Sequence, residues 1–357
     1  MHQTNNQTPQ LAIMALFTRK TCLKGSLALT FLLFLQVTRA QLNIGAADSY
    51  LQKNQKAFGN EMVVMVNKEG KPVYKKELGK EFTGKTPAEA LEISQWFTAA
   101  LLMVLVDEGK ISLDDPVAKY LPKFEKYMKG YITFRHCLTH TTGLDANPEG
   151  IGKLVARNNY PSLEEEVNTY IEKRDIRDNP GEAFLYGRMG ISIAAKALEA
   201  ATKKTFDKLC AEKLFRPLGM KSTTFYTEKG GINPYDGAVT TANDLMNFMQ
   251  MLLNKGTLNG KKILSETSVE EIRKVQFPQA RVRYKPESKK NDVAGLTTWI
   301  EVKDASGNAL VLAQGLSGTL AWINFKDNTA SLILLKDGEG EKKAALSRDL
   351  EKILRGQ

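Results

Sequence analysis

The chain has 357 residues, with 50 lysines and arginines against 40 aspartates and glutamates and a formal net charge of +10. That length accommodates one large domain, or two intimate parts, with a sizeable core. The basic excess is modest and interleaved with acids, as over Lys123–Lys129 and Glu341–Lys352, and no basic helix or aromatic-basic motif accompanies it, so a solvated surface is expected rather than nucleic-acid binding.

Taken in chain order, Arg19, Lys20 and Lys24 precede the apolar run Leu27–Leu35, and Thr38-Arg39-Ala40 follows it. The pattern predicts a secretory signal peptide over residues 1–40, cut after Ala40. The run is too short for a bilayer, which needs about 20 residues, so no membrane span is expected after cleavage, and a periplasmic or secreted location follows. The remaining domain, residues 41–357, carries 46 basic and 40 acidic side chains, a net +6, with Cys137 and Cys210 as its cysteines and His136 and His140 as its histidines. Two histidines are too few for a histidine-rich metal site, and no metal or other cofactor is expected. Both cysteines lie in apolar-flanked helical runs, where such residues pack as small hydrophobes.

Residues Glu61–Asn67 and Pro72–Leu78 alternate around Lys68-Glu69-Gly70-Lys71 and predict a hairpin. A helical pattern over Leu91–Val106 follows, and Thr86-Pro87-Ala88-Glu89 fits a capping box that would start this helix early. Further helices are predicted over Thr133–Leu138, Leu163–Lys173, Met189–Thr202, Phe206–Leu214 and Ala242–Asn254. The runs Leu296–Val302, Ala309–Ala313, Leu320–Phe325 and Ser331–Leu335 read as an antiparallel meander, and Ala344–Leu354 as a closing amphipathic helix. Strands at both ends with helices between them imply an α+β fold, one antiparallel sheet built from both termini with a mostly helical lobe inserted over roughly residues 110–280. The cleft between such parts is the expected place for a site.

Phe97-Thr98-Ala99-Ala100, the run Leu105–Val117, Tyr120-Leu121-Pro122, Thr133–Leu144, Pro180-Gly181 leading to Tyr186, Phe215–Met220, Thr240–Leu245 and Met251–Gly256 occur in this order. Together they resemble the serine β-lactamase and penicillin-binding-protein family, over roughly residues 59–337. The resemblance implies the β-lactamase/transpeptidase-like fold and a serine-hydrolase pocket. In that family a serine at a helix start has a lysine one turn later to take its proton. Aligned on Trp96-Phe97-Thr98-Ala99, the serine position falls on Glu92 and the lysine position on Gln95. Ser94 offers no alternative dyad, because Phe97 stands three residues beyond it, so Ser94 is expected to pack within the helix. Tyr186, the family's proton-shuttling tyrosine, is kept, while Arg188 stands where a short amide or small residue is expected. Gln314-Gly315-Leu316 falls on the strand that forms the far wall, where the Leu316 amide could provide half of an oxyanion hole. His136 and His140 are implied to buttress the cleft.

These substitutions predict an exported protein that is catalytically impaired and binds a peptide, cell-wall fragment or protein partner in the cleft. The alternative is an active hydrolase of esters, amides or β-lactam and D-Ala-type peptides through a reorganised site. Two unexpected charges of opposite sign also predict a Glu92–Arg188 ion pair, satisfied further by Gln95 and Tyr186.

Overall fold

The structure, a computed structural model, describes residues 42–145, 160–225 and 231–357; the predicted signal peptide lies outside these. The predicted hairpin is present as β1 (Met62–Lys68) and β2 (Lys71–Leu78), turned through Glu69 and Gly70 at φ 52° and 76°. The C-terminal strands are β3 (Val293–Ala294), β4 (Trp299–Lys303), β5 (Ala309–Gln314), β6 (Leu320–Asn324) and β7 (Thr329–Leu335). They join the hairpin in one seven-stranded sheet of order β2-β1-β7-β6-β5-β4-β3. Every pairing in it is antiparallel, and the first and last strands of the chain pair with one another through Met62↔Leu335 to Lys68↔Thr329.

Alternation along the central strands assigns the two faces of this sheet. Met62, Val64 and Val66 of β1 and Ile333 and Leu335 of β7 pack with α1 (Ile44–Asn54) and α8 (Glu341–Leu354), through Ala47, Leu51, Leu350 and Leu354. Val63, Met65, Leu332 and Leu334 face the larger core, which holds the helices of the middle of the chain. Those include α2 (Ser94–Asp107), α3 (Phe134–Leu138), α4 (Leu163–Lys173), α5 (Arg188–Thr202), α6 (Ala242–Leu253) and α7 (Glu266–Arg273). Among the described residues, none between β2 and β3 enters the seven-stranded sheet.

Local chemistry explains several boundaries. Thr133, Ser162, Thr241 and Ser265 cap α3, α4, α6 and α7, each side chain accepting a backbone N–H of the first turn. The proposed capping box at Thr86–Glu89 does not form. Ala88 and Glu89 instead pair as a short strand with Thr240 and Val239, and α2 begins only at Ser94, after a single 3₁₀ turn over Leu91–Ile93. The strand pairing extends the backbone where the capping box needed a helical turn, and tertiary contact overrides the local signal. Cys137 and Cys210 are buried free thiols.

Candidate active site

The 3₁₀ turn ahead of α2 places Glu92 and Gln95 one above the other but in different surroundings. Leu91, directly before Glu92, has φ +51°, a left-handed conformation that costs a branched apolar residue roughly 1–3 kcal/mol and persists only where packing holds it. Its side chain is buried against the neighbouring Gly338. This bend sets the Glu92 carboxylate toward the end of β5. There Gly315 turns at φ +116°, with its α-carbon so close to Thr319 that a Cβ would lie 2.4 Å from the Thr319 carbonyl oxygen; only glycine fits. The turn directs the Leu316 N–H to Glu92 Oε2 at 3.3 Å.

Burial pushes the Glu92 pKa upward, and the nearby Asp236 carboxylate adds to the effect. Its own backbone N–H, the Leu316 N–H and the Ser317 hydroxyl oppose this by favouring the ionised form, but burial outweighs them. Glu92, Asp236, Leu91, Leu316 and Ser317 border a cavity of about 790 Å³, whose remaining walls are the loop 286–290 and the segment from Glu339 to Arg348 that leads into and starts α8. The loop and α8 are joined through buried charges, with Lys289 on Asp292 at 3.3 Å and on Glu301 at 3.1 Å and Arg355 bridging Glu301 to Glu351.

Gln95 sits behind this cavity, fully buried. Its Nε2 donates to the Tyr186 hydroxyl at 2.9 Å, and its backbone carbonyl accepts from the Thr297 hydroxyl at 3.0 Å. Thr297 itself is held at φ +57°, with its N–H on the Leu138 carbonyl. Burial, followed by the Glu92 charge, drives the Tyr186 pKa far above the ordinary phenol value, the reverse of what a proton-shuttling phenolate needs. Tyr186 packs on His140 at 4.7 Å and on Trp299 at 5.1 Å between ring centroids. His140 is buried, its Nδ1 against the Gly187 carbonyl at 3.0 Å, and burial lowers its pKa to about 4. His136 completes the cap of α3 with Thr133. Both histidines therefore support the backbone around the site, as expected.

Ser94 is occupied structurally. Its hydroxyl donates to the Leu91 carbonyl at 2.6 Å and accepts the Ala238 N–H at 3.0 Å, tying the start of α2 to the 233–238 segment.

The expected ion pair between Glu92 and Arg188 is not formed. Arg188 starts α5 fully buried, with Nη2 3.5 Å from Asp236 and Nη1 4.0 Å from Glu166, and with its guanidinium over the Tyr235 ring at 5.5 Å. Glu166 also accepts from the hydroxyls of Tyr170 at 2.7 Å and Ser192 at 3.0 Å. Asp236 takes the charge of Arg188 that had been assigned to Glu92, while Gln95 and Tyr186 bond to one another. Neither Asp236 nor Glu166 was singled out from the sequence, where no spacing connects them to Arg188. Gln314 is placed by its backbone pairing with Ala321 at the end of β5.

Comparison with known proteins agrees with this architecture. The family model described as Beta-lactamase matches residues 51–354. The chain is 27% identical over 184 residues to the D-alanyl-D-alanine-carboxypeptidase/endopeptidase AmpH of Escherichia coli K12, covering 45% of this chain and 48% of that protein. It is 26% identical over 172 residues to Protein flp of Staphylococcus aureus strain MW2, covering 45% and 34%. The matches thus span about half or less of these relatives' lengths. Among solved structures, the assigned beta-lactamase of Bacteroides dorei DSM 17855 superposes with a TM-score of 0.75 at 28% identity, covering 88% of this chain and 99% of that one. The octameric penicillin-binding protein homologue of Pyrococcus abyssi shares the fold, with a TM-score of 0.69 at 20% identity over 88% and 78%.

Proposed function

The chain belongs to the serine β-lactamase and penicillin-binding-protein family, and from that premise we propose that it is an exported, non-catalytic member that binds a peptide, cell-wall fragment or protein partner in the cavity beside Glu92. Acyl transfer on this scaffold needs a hydroxyl with a base able to take its proton. Position 92 holds a carboxylate, whose attack on an acyl group would give an anhydride, and position 95 holds an amide that cannot act as a base.

The observation that supports the reading is the contact of the Glu92 carboxylate with the Leu316 N–H, since the family pattern assigns the attacking oxygen to the residue at this position. None of the other hydroxyls near the cavity is set beside a lysine able to take its proton, and the Ser317 hydroxyl meets the Glu92 carboxylate itself. Ser94 is committed to two backbone groups. Ser288 and Ser317 border the cavity together with Lys290, but that lysine is paired with Glu287 at 2.6 Å and its pKa is raised by the pairing, so it holds its proton. An exported location rests on the signal peptide expected over residues 1–40; no helix among the described residues is long and apolar enough to cross a membrane.

Turnover of a chromogenic cephalosporin and a short-chain ester by the purified mature chain tests the loss of chemistry, set beside a Glu92→Ser, Gln95→Lys double variant. The wild type should turn over neither, and the double variant should gain activity toward at least one. Activity in the wild type that survives both substitutions, or that is abolished by Ser94→Ala, would overturn the reading.

A further inference from the structure

Two walls of the cavity beside Glu92 are held in different ways. α8 is fixed by apolar burial, with Leu350 and Leu354 packed under the sheet, and its Ser347 hydroxyl donates to the Gly318 carbonyl at 2.6 Å. The loop 286–290 has no such hold. Across residues 286–291 the one buried side chain is that of Lys289. Among the described residues, the backbone hydrogen bonds of 286–292 run within the loop, from Lys289 to Pro286, Lys290 to Glu287 and Asp292 to Lys289. What ties the loop to the sheet is the Lys289 ammonium, 3.1 Å from Glu301 on β4, with Asp292 3.3 Å away at the base of the loop. Glu301 is held from the other side by Arg355, which follows α8 and also reaches Glu351 at 2.7 Å. Burial works to raise the Glu301 pKa, but Lys289 and Arg355 outweigh it and hold the carboxyl below its ordinary value.

We propose that Lys289 is an ionic latch: its contact with Glu301 holds the loop 286–290 against the cavity, and this loop is the wall that swings away to admit a ligand while α8 stays in place. A wall fixed by apolar burial moves only with the core, whereas a segment with few buried apolar contacts opens locally. Breaking a buried pair is costly where it strands a charge. Here it strands neither: the displaced ammonium returns to water, and Glu301 keeps Arg355. The proposal rests on the reading of this cavity as the binding site and adds how access to it is controlled.

The test is the rate at which an uncharged maleimide labels Ser317→Cys, a thiol on the cavity wall, in the folded mature chain. Cys137 and Cys210 are buried and report opening of the whole fold. Adding Lys289→Met, which keeps the stem and removes the charge, should speed labelling about tenfold, the scale of one lost charge-assisted hydrogen bond. Cys137 and Cys210 should stay unlabelled, and Lys303→Met, a charge removed from the exposed end of β4, should leave the rate as it was. In variants with native near-ultraviolet circular dichroism, an unchanged rate in Lys289→Met, an equal gain in Lys303→Met, or a gain matched by labelling of Cys137 and Cys210 would overturn the proposal. Should Lys289→Met not fold, hydrogen exchange of the wild type decides. The Lys289, Lys290 and Asp292 amides should exchange through an opening that urea hardly promotes, well before those of β4; exchange only together with β4 would overturn the latch. No ligand or substrate enters either measurement, so the latch and the loss of catalysis can fail independently of one another.

Discussion

A glutamate in place of an attacking hydroxyl gives the pocket a charge to bury, and the surrounding groups offset that cost only in part. Burial raises the Glu92 pKa against the pull of the amides and the Ser317 hydroxyl, so the folded chain holds this proton more tightly than the unfolded chain does. The sign follows directly: the contribution is fully favourable below the ordinary value of 4.5 and is lost as pH rises through the higher folded value. Glu92→Gln removes this loss while keeping the shape. Urea midpoints taken from pH 4 to 8 should show the variant gaining on the wild type as pH rises, and a difference independent of pH would contradict the assignment. His140 acts in the opposite sense, since burial lowers its pKa to about 4, and its share of stability is lost as pH falls from about 6.5 toward that value. At this scale the sequence was informative about identity and poor about partners. Glu92, Gln95 and Tyr186 were located by alignment with the family pattern, and Gln95 and Tyr186 do meet. Arg188 was found, but its partners Glu166 and Asp236 lie 22 and 48 residues away in the chain with nothing in the local pattern to announce them.

At the scale of elements, the site depends on how closely α3 and α5 approach. Gly190, in the first turn of α5, stands so near α3 that a Cβ would lie 2.2 Å from the Cys137 carbonyl oxygen. The backbone of one helix or the other would have to shift to admit a methyl group. Gly190→Ala should therefore destabilise the chain by about 1–3 kcal/mol, measured by denaturant unfolding, even though alanine favours a helix in isolation by about 1 kcal/mol. An unchanged or higher midpoint would mean the helices are not packed this tightly. The helices with a strong apolar stripe, such as α4 and α6, were legible to within a residue or two because their buried residues recur with helical spacing. The start of α2 was not, since every residue from Ser94 to Leu105 is buried and a helix apolar all round carries no face to read. The short strand at Ala88–Glu89 was masked by a capping motif whose residues are used for pairing with Val239–Thr240 instead.

For the whole molecule, a sheet that pairs the first and last strands of the chain brings the end of β5, the start of α8 and the turn ahead of α2 around one cavity. The ordered run of family-like segments made this architecture readable before any coordinates, since each segment constrains the next. The acidic floor of the cavity was not readable, because Glu92 and Asp236 are brought together only by folding. The account as a whole turns on the claim that no hydroxyl bordering this cavity is activated for acylation. Intact-protein mass spectrometry after prolonged incubation of the mature wild-type chain with a fluorescent penicillin, and separately with a fluorophosphonate, tests it most directly. The predicted result is an unchanged mass with both reagents. A stoichiometric adduct that maps by peptide analysis to Ser94, Ser288 or Ser317 would contradict it.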